Sequence, residues 1–315
     1  MSEVRSFLDL PYDLRVFLID EMQPADRCRF VRCSKICNRE AKASKNYIYG
    51  LELNCIMNVV TINILHGKYQ NYKDRDDGYS LKFESQSIRY SNLNNVELWN
   101  IELDDSIDHI EYGIEYFKNL LQCYQDTVKR LEIGDFFLDF DLRNYDFGIT
   151  SLRNLEKLKV CGNINFLQFF SKSRKPLKEL EVYRINDCEE LANCEEIYEC
   201  QNALTIVNTT LNAVQLSKLS AKNVTMLIEE LTAEDILNFI RSWQNGTSGK
   251  DIDTYRFCLG YTKSILTELS CLLDVNLMLE GFKIKHKKDA GKSAELRYTL
   301  GMVQFKTSSQ FFRAA

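Results

Sequence analysis

The sequence predicts an α/β protein: a three-helix unit at the N-terminus, then an irregular β/α repeat solenoid, with β-hairpin elements near residues 58–85 and 281–306. Three observations carry that expectation. Two of the chain's three prolines fall within residues 7–44, each at the head of a helix-spaced apolar run. A three-point apolar signature, spaced like L-x-x-L-x-V, returns along residues 93–257. Apolar and polar residues alternate around residues 60–83 and again around 282–300, the period of a strand. The expected boundaries are 6–48 for the helical unit, 49–90 for a linking hairpin and 91–315 for the repeat domain.

From Pro11, apolar residues recur at Leu14, Phe17, Leu18 and Met22, the i, i+3, i+4 rhythm of one helical face. Pro24 ends that run and starts a second short helix through Cys28, Phe30 and Val31, with Asp26 in its first turn. Ser34 stands as the N-cap of a third helix through Ile36, Cys37 and Ala41. Some forty residues bury little by themselves, so such a unit needs a partner for its apolar faces.

The stretch resembles an F-box. The matching residues are Leu10-Pro11, Leu14, Leu18-Ile19, Met22, Pro24, Phe30-Val31 and Ser34-Lys35. In that family three helices dock on a Skp-type adaptor, which joins them to a cullin–RING ubiquitin ligase. The resemblance implies Leu10, Pro11, Leu14, Leu18, Ile19, Met22 and Val31 as adaptor-binding residues. The alternative is an N-terminal helical cap on a larger domain.

Alternation at Val60, Ile62 and Ile64, then at Leu81 and Phe83, predicts two antiparallel strands joined across the charged turn "KDRDDG". The signature then appears as Leu93-Val96-Leu98, Val128-Leu131-Ile133, Leu155-Leu158-Val160 and Leu177-Leu180-Val182. Weaker copies follow at Ala221-Val224-Met226 and Ile252-Tyr255-Phe257, with a fragment at Leu204 and Ile206. Helical patterns lie between them. One carries Ile110, Ile114, Phe117, Leu120 and Leu121 on a face, another Cys188, Leu191, Cys194 and Tyr198. A third carries Ile236, Phe239, Ile240 and Trp243 behind a Thr232/Asp235 capping box. A strand followed by a helix, repeated, resembles an irregular leucine-rich-repeat solenoid with one parallel sheet. A generic α/β domain is the alternative.

Leu231, Thr232, Asp235, Phe239, Trp243, Gly246 and Tyr255 add a second resemblance, to the F-box-associated domains of the large nematode-type F-box families. At the C-terminal end, Phe282-Ile284 and Leu296-Tyr298-Leu300 alternate on either side of "HKKDAGKS". That predicts a hairpin whose lysines discourage edge-to-edge pairing.

Composition narrows the function classes. A formal charge of −5 argues against nucleic acid as the main partner. No apolar run reaches the length of a membrane span and no leader peptide is apparent, so an intracellular protein, cytoplasmic or nuclear, is expected. In a reducing compartment the 11 cysteines read as small core residues. Cys28, Cys33 and Cys37, like Cys188, Cys194 and Cys200, lack the C-x-x-C spacing of structural zinc. His66, His109 and His286 stand far apart. "GTSGKD" (246–251) imitates a phosphate loop but has Gln244 where the first glycine belongs and Asp251 in place of the magnesium-holding Ser/Thr. No metal or cofactor is therefore expected.

Two charge clusters remain as recognition surfaces: Glu189, Glu190, Glu195, Glu196 and Glu199, and Lys283, Lys285, His286, Lys287, Lys288 and Lys292. The expected protein is a non-enzymatic substrate adaptor of a Skp–cullin–F-box type ubiquitin ligase, its repeat domain holding an unidentified protein substrate. The alternative is a repeat scaffold for protein–protein interaction with no ubiquitin connection.

Overall fold

Pro11 precedes helix α1 (Tyr12–Asp20), and Ser34 precedes helix α2 (Lys35–Ala43). The Arg15 N–H donates to the Pro11 carbonyl at 3.0 Å, closing the first turn. The structure is a computed structural model. It describes residues 7, 10–20, 22, 30, 33–43, 48–66, 78–93, 97–135, 141–143, 145–165, 167–170, 172–173, 175–183, 193–207, 211, 213–227, 232–247, 252–258, 263–274, 281–289, 291–299 and 302–309. The chain divides into two units: Met1–Leu155 with Gln168–Lys175, and Glu156–Leu167 with Pro176–Ala315.

In the first unit, β1 (Ile48–Ile56), β2 (Val59–His66), β3 (Gly78–Glu84), β4 (Ser87–Asn92) and β5 (Glu97–Glu102) form an antiparallel meander. The β1–β2 turn is two residues, Met57 and Asn58, both at positive φ (48° and 61°). That is the type I′ geometry whose twist matches the strands it joins. Helix α3 (His109–Tyr124) follows, and β6 (Arg130–Asp135) returns parallel to β1, giving the order β5-β4-β3-β2-β1-β6. A two-residue strand, β7 (Asp141–Leu142), comes next.

Alternation sends Leu51, Leu53, Val60, Ile62, Phe83, Leu131 and Ile133 to the buried side of this sheet. Helix α3 lies on that side, because Gly113 abuts Val60 and Phe83. Its start is fixed by Asp108, whose Oδ1 accepts from the N–H groups of Ile110 (2.9 Å) and Glu111 (3.2 Å). On the opposite side, Glu132, Glu52, Asn63, Ser80 and Ser91 form one row across five strands. Arg130 Nη2 bridges Glu52 (3.0 Å) and Glu132 (3.1 Å), and Asn63 donates to Glu52 at 3.0 Å.

The second unit begins with β8 (Lys157–Cys161) and β9 (Asn163–Ile164); the four-residue helix α4 (Leu167–Phe170) crosses the unit boundary. Then come β10 (Glu179–Tyr183), α5 (Glu195–Glu199), β11 (Ala203–Val207), α6 (Ala213–Lys218), β12 (Asn223–Leu227), α7 (Ala233–Gln244) and β13 (Thr254–Cys258). Strands β8, β10, β11, β12 and β13 run parallel in that order. After α8 (Lys263–Leu273), the strands β14 (Gly281–Lys285), β15 (Lys292–Thr299) and β16 (Met302–Ser309) add on antiparallel, in the order β14-β15-β16-β13. Helix α7 begins in a reciprocal Thr232/Asp235 capping box and buries Ile236, Phe239, Ile240 and Trp243. Phe239 stacks on Tyr255 at 5.1 Å and meets Phe305 edge-on at 5.4 Å.

The class is α/β, but the expected three-helix F-box followed by a solenoid is corrected. Among the described residues strands dominate: besides the two-residue β7 and β9, fourteen strands of mixed direction pair side by side, six in the first unit and eight in the second. Seven of the twelve described ladders are antiparallel, whereas a solenoid stacks its strands in parallel. The stretch around Leu93, Val96 and Leu98 starts no parallel repeat, because β5 pairs antiparallel with β4. At the N-terminus two helices are described, and Pro24 and Val31 of the expected middle helix lie outside the described residues. The physical reason is general: an apolar signature fixes which side chains turn inward, not the direction of the neighbouring strand. Among the described residues, no helix is long and apolar enough to cross a membrane.

Candidate docking face

Helices α1 and α2 are joined by a charged clasp. Arg15 Nη2 donates to Glu40 Oε1 at 2.7 Å and Nε reaches the same carboxylate at 3.0 Å, while Nη1 donates to the Leu10 carbonyl at 2.7 Å. The Glu40 side chain is fully buried. One guanidinium thus ties the approach to α1 and the body of α2 through a planar fork, which lysine could not do. The Ser34 hydroxyl accepts from the Cys37 N–H at 3.1 Å, so Ser34 caps α2. Ile19 and Cys37 fill the inner side. Phe7 and Phe30 meet edge to face at 4.8 Å.

What this clasp leaves outside is apolar. Leu14 is 51% exposed and Leu18 40%, one turn apart on α1; Tyr12 is 50% exposed and Ile36, at the start of α2, 41%. Single exposed leucines are ordinary, but Leu14 and Leu18, one turn apart on the same side of α1, have no covering element among the described residues.

The seven residues implied by the F-box resemblance fare differently. Leu14, Leu18 and Pro11 are exposed, and Leu10 and Met22 are half-buried. Ile19 is fully buried within its own chain, where it fills internal packing. Val31 lies outside the described residues. Tyr12 was not singled out, because it stands off the apolar run of α1, and Ile36 was read onto the third helix without a docking role. Arg15 and Glu40 were missed because 25 residues separate them and each alone reads as a solvated charge.

Among the described residues, no group of three or more His, Cys, Asp and Glu side chains could hold a metal ion. The nine described cysteines form no disulfide. Burial pushes the Cys200 thiol up to about 12, and its S–H donates to the Ala203 carbonyl at 3.2 Å. His109 Nε2 lies 2.8 Å from the Asn58 carbonyl, and His286 Nδ1 accepts from the N–H groups of Lys288 and Asp289. Of the expected cysteine and glutamate clusters, Cys28, Cys188, Glu189 and Glu190 lie outside the described residues.

Compared with family models, with curated proteins and with solved structures, the chain finds no match. The F-box likeness therefore rests on the residues quoted above alone.

Proposed function

We propose that this chain is a substrate-recognition adaptor of a Skp–cullin–F-box type ubiquitin ligase. Helices α1 and α2 dock on a Skp-type adaptor, and the strand-rich remainder holds a protein substrate. The chain supplies no catalysis. It works by proximity, raising the effective concentration of a substrate lysine beside the ubiquitin-charged enzyme of the cullin–RING ligase. This role belongs to the cytoplasm or nucleus.

The observation that carries the reading is the exposure of Leu14 and Leu18 on a helix whose other side is pinned by Ile19 and the Arg15–Glu40 clasp. A sequence motif for docking coincides there with side chains free to dock. Burying a leucine completely is worth about 1.5–3 kcal/mol, so half-exposed leucines contribute about half of that each. Leu14 and Leu18 alone fall short of the roughly 4–15 kcal/mol that association costs. A stable dock therefore recruits more of α1 and its approach, including Pro11 and Met22.

The test is co-purification of the full chain with a Skp-type adaptor, wild type beside the Leu14→Asp, Leu18→Asp double variant. A buried, unpaired carboxylate costs far more than the leucine gained, so the variant is expected to lose the adaptor while keeping the wild-type circular-dichroism spectrum. Equal recovery of adaptor by the two proteins, or none by a folded wild type, overturns the reading.

A further inference from the structure

The side of β13–β16 turned away from α7 carries a charge pattern unlike the rest of the chain. Phe282, Ile284, Leu296, Val303, Phe305, Tyr255 and Phe257 all point inward and are buried. Alternation then places Lys283, Lys285, Arg297, Lys306 and Arg256 on the outer side, against one carboxylate, Glu295. The chain as a whole carries −5. The cations also have a regular arrangement. Lys283 faces Glu295, which faces Lys306; one register step away, Arg297 faces Gln304, which faces Arg256. Lys283, Arg297, Lys306 and Arg256 therefore zigzag across the four strands, one per strand. With strands about 4.8 Å apart, the row spans about 14 Å, the length of roughly four extended residues.

Two ordinary explanations fall short. Lysines protect an exposed edge from pairing with another sheet, and β14 is the edge strand of this unit, which accounts for Lys283 and Lys285. Arg297, Lys306 and Arg256 lie on interior strands and protect no edge. The charges are also not balanced within the sheet as they are elsewhere. On β8 and β10, Lys157 pairs with Glu179 at 2.7 Å and Lys159 sits across from Glu181. On β13–β16, Glu295 is taken by Arg297 at 2.9 Å, and Arg256, Lys283, Lys285 and Lys306 have no ion-pair partner among the described residues.

We propose that the outer face of β13–β16 binds an Asp/Glu-rich peptide segment of a partner protein, laid across the four strands. Charge complementarity selects it: four unpaired cations on a net-acidic chain attract a short acidic segment at close range. The chain's overall charge does not favour a long polyanion. A nucleic acid fits less well. The outward positions of these strands hold no aromatic ring for base stacking, and Glu295 sits among the cations. The inference leans on the adaptor reading only in calling this partner a ubiquitination substrate.

The experiment titrates the full chain into a fluorescent peptide alternating Glu and Ser, with the Gln-for-Glu peptide and a single-stranded RNA as comparison probes. The acidic peptide is expected to bind, more weakly as salt rises, and at least about tenfold more weakly to Lys283→Glu, Lys306→Glu. Lys172→Glu, Lys175→Glu, an equal charge change on exposed residues of the first unit, is expected to bind like wild type. Equal loss in both double variants, no loss in the first, no binding by wild type, or tighter binding of the RNA overturns the proposal. Thermal melting guards against misfolding; all four substituted lysines are exposed. Adaptor capture is scored on the same proteins. Peptide binding lost with capture intact indicts only this face; capture lost with peptide binding intact indicts only the dock.

Discussion

Glu40 places a carboxylate where solvent does not reach, and the Arg15 guanidinium compensates it with a fork of hydrogen bonds. Removing one partner of such a buried pair costs about 3–5 kcal/mol, whereas replacing both by apolar groups is often nearly neutral. Arg15→Met is thus expected to speed amide exchange throughout α1 and α2 and to lower their stability by that amount. Arg15→Met, Glu40→Leu is expected to recover most of it. Hydrogen exchange followed peptide by peptide reads the difference. Cys200 offers a second test. Its thiol is raised from 9.0 to about 12 by burial, so the protonated form is native. The stability this group contributes is full below about pH 9 and is lost as the pH climbs toward 12. Because the thiolate is the reacting species, exposed Cys33 and Cys271 are expected to take up a thiol reagent at neutral pH, with Cys200 modified only as the fold opens. Mass spectrometry of the labelled chain checks the order.

At the scale of elements, Gly113 sets how closely α3 approaches its sheet. A Cβ there would lie 2.9 Å from Val60 Cγ1 and 3.1 Å from Phe83 Cγ. Alanine would improve helix propensity by about 1 kcal/mol, but overpacking costs about 1–3 kcal/mol, so Gly113→Ala is expected to destabilise by about 1 kcal/mol. Adding Val60→Ala should make Gly113→Ala less costly than it is alone, measurable as a non-additive shift in urea midpoints. Both the buried stripe of α3 and that of α7 could be read from their 3.6-residue period, as could the Thr232/Asp235 box, because these signals are local. The β1–β2 turn could not. Met57 occupies a positive-φ position where glycine or asparagine is usual, so nothing in the sequence advertises the hairpin. The row Glu132, Glu52, Asn63, Ser80 and Ser91 also went unseen. Alternation marks such residues as solvent-facing, and only the assembled sheet brings Arg130 between two carboxylates.

At the scale of the whole molecule, the apolar signatures identified residues that lie inside the sheets, such as Leu158, Val160, Leu180 and Val182. They did not reveal how β1 pairs with β2 and β6, β5 with β4 or β16 with β13, since pairing direction is decided by connections rather than side chains. The docking face was half legible in the same sense. Periodicity picked out Leu14 and Leu18, the F-box resemblance added Ile19, and only packing against α2 separates the exposed pair from the buried residue. The central claim concerns the exposed pair, and equilibrium titration of a purified Skp-type adaptor tests it most directly. The proteins compared are wild type, Leu14→Asp with Leu18→Asp, and Val214→Asp, the last altering another apolar side chain that is 65% exposed. The account predicts tight binding by wild type and Val214→Asp and at least about a hundredfold weaker binding by the double variant, about 3 kcal/mol. Equal affinity across the three proteins, or no affinity in any of them, would contradict it.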